Sequence, residues 1–196
     1  MMIHVVSVLF FALVLWRKIM KANRTTRDFE NALWEILDIT PFAEVTVDQI
    51  CSAALIHRSS FYRYFDDKVD LLKQTLSTML RRNLNASSNP DLVDQIVSFI
   101  IDNRTAFRNI SIIGGNNSIN LDLLTLIGKI ILERPDSGTN NLIDALHRSK
   151  NPDMMSYILA GALTGVFVYC DEYNYDIPRK DVVELFNSVI QHVTTH

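Results

Sequence analysis

The sequence predicts an all-α chain: a small N-terminal domain of three helices, then a larger helical domain. Three observations predict this. Apolar residues recur at helical spacing in almost every segment between turn formers, and strand-like alternation is essentially absent. Residues 46–72 spell a short helix, a tight turn, a second short helix and a capped third one.

Residues 28–39 form the first helix, with Phe29, Leu33, Ile36 and Leu37 on one face, Ala32 and Trp34 beside it, and Pro41 as its stop. Thr46 is a suitable N-cap for the next helix, where Val47, Ile50, Ala53 and Ala54 fall on one face. After Leu55-Ile56 comes the segment 57–65. Its two phenylalanines, Phe61 and Phe65, repeat at i and i+4, and Arg58, Ser59, Ser60, Tyr62, Arg63 and Tyr64 surround them. A helix held down by two aromatics, with hydrogen-bonding groups on its other face, suits the major groove of DNA. Asp67 caps a longer helix through Leu71, Leu72, Leu76, Met79 and Leu80 to about Asn85.

These residues resemble the DNA-binding domain of the tetracycline-repressor (TetR/AcrR) family of transcriptional regulators. Thr46, Val47, Ile50, Ala54, Tyr62, Phe65, Lys68, Leu71 and Leu72 match that family's signature in order and spacing. The preceding Pro41-Phe42-Ala43-Glu44-Val45 resembles a variant common in the family. Three positions depart from it: Leu55 stands where the turn usually has Gly, His57 where Ser is usual, and Tyr64 where His is usual. A left-handed Leu is strained where Gly is not, so the turn is expected to be slightly remodelled.

The resemblance implies a recognition helix over 57–65. Arg58, Ser59, Ser60 and Arg63 would lie near base edges, while Thr46, Tyr62, Tyr64 and Lys68 would hold phosphates. His57 would cap the helix or reach a phosphate. It further implies a homodimer on a roughly palindromic operator in double-stranded DNA, released by a small-molecule effector. Candidate lining residues for that effector are Phe99, Phe107, Met155, Leu159, Leu163 and Phe167.

Three domains are expected: an apolar segment over 1–19, the DNA-binding domain over 20–86, and a regulatory and dimerisation domain over 87–196. Residues 85–90, Asn-Ala-Ser-Ser-Asn-Pro, are dense in turn formers and mark the second boundary. Charge divides in the same way. Residues 1–83 carry eleven Lys and Arg against nine Asp and Glu, whereas 84–196 carry eight against thirteen. The basic excess gathers at Arg17, Lys18, Lys21, Arg24 and Arg27, an arm suited to the phosphate backbone. The overall net charge of −3 argues against indiscriminate nucleic-acid binding.

Beyond the boundary, one helix is expected over 91–109, with Leu92, Val93, Ile96, Val97, Ile100, Ile101 and Phe107 at helical intervals. Gly114-Gly115-Asn116-Asn117 reads as a turn, because no strand precedes it and no Gly-Lys-Ser follows. A very apolar helix over 121–133 and a short amphipathic one over 141–149 come next. Residues 152–169 are apolar on nearly every side and so must be buried on nearly every side. With the amphipathic helix after Pro178, this segment resembles the family's dimerisation pair. Ala160, Gly161 and Gly165 would allow close approach.

Residues 1–16 hold only His4 and Ser7 as polar positions, and Arg17-Lys18 follow. A signal peptide carries its positive charges before the apolar run, not after it. Sixteen residues also fall short of the roughly 20 that span a bilayer. Because Met20 opens an ordinary basic lead into the first helix, the expectation is a true start there. A membrane anchor through 1–16 is the alternative.

No catalytic constellation, metal cluster or cofactor fingerprint is present. Cys51 and Cys170 lie apart inside apolar patterns, which fits reduced thiols and a cytoplasmic location. The sequence therefore reads as a non-enzymatic regulator. A membrane-tethered sensor, or an interaction module that kept the fold without DNA recognition, is the competing reading.

Overall fold

The computed structural model describes residues 24–86, 91–110, 117–134, 141–173 and 178–194, and every element among them is a helix. In chain order these are α1 (24–37), α2 (Val47–Ala54), α3 (Arg58–Phe61), α4 (Lys68–Ala86) and α5 (Leu92–Asp102). They are followed by α6 (Arg104–Ile110), α7 (Asn117–Leu132), α8 (Asn141–Arg148), α9 (Pro152–Glu172) and α10 (Arg179–Thr194). The apolar segment 1–19, most of the basic arm and most of the turn-rich 85–90 lie outside the described residues.

The chain divides into two compact units. The described part of the first comprises residues 24–36 and 45–75, and the second comprises 37–44 and the described residues from Leu76 on. In the first unit Phe29 and Leu33 of α1 bury completely with Ile50, Phe61, Leu71 and Leu72. The end of α1 and the turn after it belong to the second unit for a local reason. Asn109 donates from Nδ2 to the Leu37 carbonyl at 2.8 Å, and Phe42 N–H donates to the Asn109 carbonyl at 2.7 Å.

The second unit is a layered helical bundle. Its main pairing sets α7 against α9, while α10 packs on α5 and α8. A Cβ on Gly128 would lie 3.7 Å from Ala160 Cβ and from the Ser156 carbonyl, so α7 and α9 approach closely there. Arg179 of α10 makes a two-pronged ion pair with Asp94 of α5, and Arg81 of α4 pairs with Glu133 at 2.7 Å.

Three expectations are corrected. The single helix over 91–109 is two, because Asn103 stops α5 with φ −111° and turns its Nδ2 onto the Phe99 carbonyl at 2.7 Å. Short polar side chains compete in this way for backbone partners. The apolar face of α2 runs through Ile50 and Cys51, leaving Ala53 exposed. Finally, α9 is buried on one face only. Leu159, Ala160, Leu163 and Phe167 point inward, but Met154, Tyr157, Ile158 and Tyr169 are exposed. Among the described residues α9 alone is long and apolar enough to cross a membrane.

Candidate nucleic-acid interface

The turn between α2 and α3 is built by its caps. Thr46 Oγ1 accepts from Gln49 N–H at 3.2 Å, and Gln49 Oε1 accepts from Thr46 N–H at 2.7 Å, a complete capping box. At the other end of α2, Leu55 takes the left-handed conformation, φ 56° and ψ 36°, where its relatives by resemblance carry Gly. Its N–H reaches back to the Cys51 and Ser52 carbonyls, and Ile56 N–H donates to the Cys51 carbonyl at 3.0 Å. The expected remodelling of the turn does not occur: it keeps the left-handed geometry with a leucine, which is strained there.

Helix α3 is shorter than 57–65. After Phe61 the chain tightens into successive i→i+3 turns, with Arg63 N–H on the Ser60 carbonyl and Tyr64 N–H on the Phe61 carbonyl. Phe61 and Phe65 hold it down as anticipated. Both are buried, and their rings meet Phe29 edge-on at centroid distances of 5.5 and 5.8 Å. That arrangement adds favourable quadrupole contacts to the buried area. With the aromatics turned inward, Arg58, Ser59, Tyr62 and Arg63 are left exposed, and Ser60 and Tyr64 half-buried.

The structure separates these candidates by what already holds them. Arg58 is engaged: Nη1 lies 2.6 Å from Asp48 Oδ1, and Nη2 donates to Tyr62 Oη at 3.1 Å. The bond to Asp48, then that to Tyr62, raises the guanidinium pKa further, so it stays cationic throughout. Among the described residues no side-chain hydrogen bond or ion pair ties Ser59 or Arg63. Thr46 has its hydroxyl occupied on both sides, accepting from Gln49 N–H and meeting Gln49 Oε1 at 2.9 Å.

Two of the candidates stand at helix starts. His57 stands at the N-cap of α3 but makes no capping hydrogen bond with its side chain. Lys68 donates from Nζ to the Val45 carbonyl at 2.7 Å and is half-buried, which ties the start of α4 to the residue before the Thr46 cap. Asp48 was not anticipated. It lies ten residues before Arg58, and only the sharp turn at Leu55 brings the two together.

Within the second unit a small apolar cavity is lined by residues of α4, α5, α6, α7 and α9. Of the residues expected to line an effector pocket, Phe99, Phe107 and Phe167 lie on its wall. Leu159 and Leu163 are fully buried elsewhere in the core, and Met155 is half-buried away from the void. Leu76, Leu80, Leu123 and Thr164 line it and were missed. Periodicity marks them only as inward-facing, and whether an inward face meets a neighbour or a void depends on how the helices pack.

Residues 33–75 match the family described as bacterial regulatory proteins, tetR family. No curated protein matches the chain. Among solved structures, the dihydroxyacetone kinase operon activator DhaS superposes with a TM-score of 0.60 at 12% identity, covering 87% of this chain and 96% of its own. NalD of Pseudomonas aeruginosa, named as the secondary repressor of the MexAB-OprM multidrug efflux pump, gives 0.50 at 16% identity, covering 88% and 96%. At such identities the likeness speaks to fold alone. The family match covers residues 33–75, and the helix-turn-helix of α2 and α3 falls within them, so that stretch is similar to the tetR family of bacterial regulatory proteins.

Proposed function

We propose that this protein is a homodimeric, sequence-specific DNA-binding transcriptional regulator of the cytoplasm, a repressor that leaves its operator when a small molecule binds. The observation that carries the reading is the exposed face of α3 and the turn after it. Arg58, Ser59, Tyr62 and Arg63 face outward while Phe61 and Phe65 fix the backbone from behind. Donor-rich faces on rigidly anchored helices are what major-groove readout requires.

Dimerisation is supported by the exposed apolar side chains of α9 and α10, which include Met154, Ile158, Tyr169, Leu185 and Val189. A face of that kind in a water-soluble regulator calls for cover. Two copies would present two α3 helices to half-sites related by a dyad, hence a roughly palindromic operator. The effector reading is supported by the apolar cavity of the second unit. One protein of like fold is named an activator and another a repressor, so the sign of regulation is read directly in a reporter assay.

The deciding experiment is a gel shift of the protein on the DNA upstream of its own gene, with Arg63→Ala beside it. Wild type should form a discrete complex that resists excess random DNA. Arg63→Ala should lose discrimination, a good bidentate arginine–guanine contact being worth about 1–3 kcal/mol. Equal binding of both proteins to operator and random DNA would overturn the reading.

A further inference from the structure

Arg58 is the first residue of α3, and the first residues of a recognition helix are those that reach base edges. Its guanidinium lies at the surface and is nevertheless held by two neighbours. Nη1 donates to Asp48 Oδ1 at 2.6 Å and Nη2 donates to Tyr62 Oη at 3.1 Å, while Cζ stands 5.6 Å from the centre of the Tyr62 ring. Both neighbours are fixed in turn. Asp48 sits in the first turn of α2, inside the Thr46–Gln49 capping box, and the Tyr62 ring meets the buried Phe61 edge-on at 5.3 Å. An exposed ion pair of this kind contributes little to stability, and its consequence lies in how it meets an incoming ligand.

A guanidinium carries more N–H donors than these two bonds use. A phosphate and a base edge compete for the remainder on unequal terms. A phosphate is an anion, so Asp48 repels it and already offsets the positive charge it would neutralise. The major-groove edge of guanine is uncharged and offers O6 and N7 side by side, two acceptors that a planar fork fits. Adenine offers N7 beside a donor amine, and cytosine a donor amine alone. We infer that Arg58 reads a guanine in each operator half-site, with Asp48 and Tyr62 as the positioning residues that reserve it for that base against phosphate. This rests on the DNA-binding reading above and adds to it one base of the operator and the two residues that secure its reader. Asp48 also stands at the positive end of α2, where a carboxylate is favoured in any case. That role alone predicts a small change in stability and none in discrimination between DNA sequences.

The test uses the full chain on a library of random-sequence DNA duplexes, with enriched sequences read for wild type, Arg58→Ala, Arg58→Lys and Asp48→Asn. Wild type should enrich a sequence with two-fold symmetry. Arg58→Ala should lose the preference at one guanine per half-site and keep the rest, and Arg58→Lys, which has the charge without the fork, should lose the same preference. Replacing that guanine by 7-deazaguanine, which lacks the N7 acceptor, should weaken wild type about fivefold or more and Arg58→Ala less than about twofold. Asp48→Asn should hold the enriched sequence within about twofold of wild type and bind random DNA severalfold more tightly, so discrimination falls about threefold or more at native helicity. A lost preference for a base other than guanine, or wild type indifferent to 7-deazaguanine at every guanine, would overturn the inference and leave the regulator reading standing. Unchanged discrimination in Asp48→Asn would do the same. Were wild type to enrich no sequence at all, the regulator reading would fall, and this inference with it.

Discussion

Asp48 Oδ1 lies 2.6 Å from Arg58 Nη1, tying the first turn of α2 to the first residue of α3. Arg58 is thus already paired, and under the proposed function a phosphate or base edge would have to compete with an internal carboxylate for it. Asp48→Asn removes that competitor and one negative charge from the surface proposed to face DNA. Non-specific affinity should rise severalfold at low salt, and the slope of log affinity against log salt should steepen by about one. Thermal stability should barely move, since both partners are largely exposed. Weaker binding by the variant would mean that Asp48 orients Arg58 for the groove and does not restrain it.

Leu55 offers a test of stored strain. It is 92% exposed, so its side chain contributes almost no burial, yet its φ of 56° is one that leucine adopts at a cost. The left-handed region costs an L-residue about 1–2 kcal/mol, offset in part by the greater unfolded-state entropy of glycine. Leu55→Gly should therefore stabilise the first unit by about 0.5–1 kcal/mol. The check is the urea midpoint, with operator binding measured in parallel. A lower midpoint would show that the turn is relaxed around leucine.

Much of this was legible in the sequence, for identifiable reasons. Thr46 as an N-cap and Phe61 with Phe65 act over three or four residues, where one periodicity governs both pattern and contact. The remodelling expected at Leu55 does not occur, because the position needs positive φ whatever occupies it and Leu55 takes φ 56°. What escaped depends on distance along the chain. The Asp48–Arg58 pair requires the turn angle, and the Lys68–Val45 bond spans 23 residues. The cavity lining mixes five helices. The break at Asn103 escaped too, since a side chain taking a backbone partner leaves the apolar spacing of 91–109 intact.

The two cysteines give a pH dependence with a definite sign. Burial pushes the Cys51 thiol above its ordinary 9.0, Asp48 adds to the shift and Arg58 partly offsets it. Burial alone raises Cys170. A raised thiol pKa means that the folded chain holds its proton more tightly than the unfolded one. The resulting stabilisation is present below about pH 8.5 and is lost as pH climbs through the folded values. Urea midpoints should fall between pH 8.5 and 10, and Cys51→Ala with Cys170→Ala should flatten part of that decline. Both thiols should react slowly with a disulfide reagent at pH 7.5. Rapid modification of either in the folded protein would contradict the assignment.

The exposed face of α9 makes the sharpest prediction about assembly. Ala160 is buried and a Cβ on Gly161 would lie 3.9 Å from Leu124, so both serve packing within the chain. Gly165 is different: a Cβ built there meets nothing within 4 Å. It lies on the side of α9 that bears Ile158 and Tyr169, where a second copy would approach most closely. Gly165→Asp should be tolerated by the isolated chain, because the site is open. In a dimer it would bury an unpaired charge, at a cost of several kcal/mol. Sedimentation should show a monomer with wild-type helicity, and operator affinity should collapse with the loss of the second half-site contact. A folded variant that stays dimeric would move the interface off this face of α9.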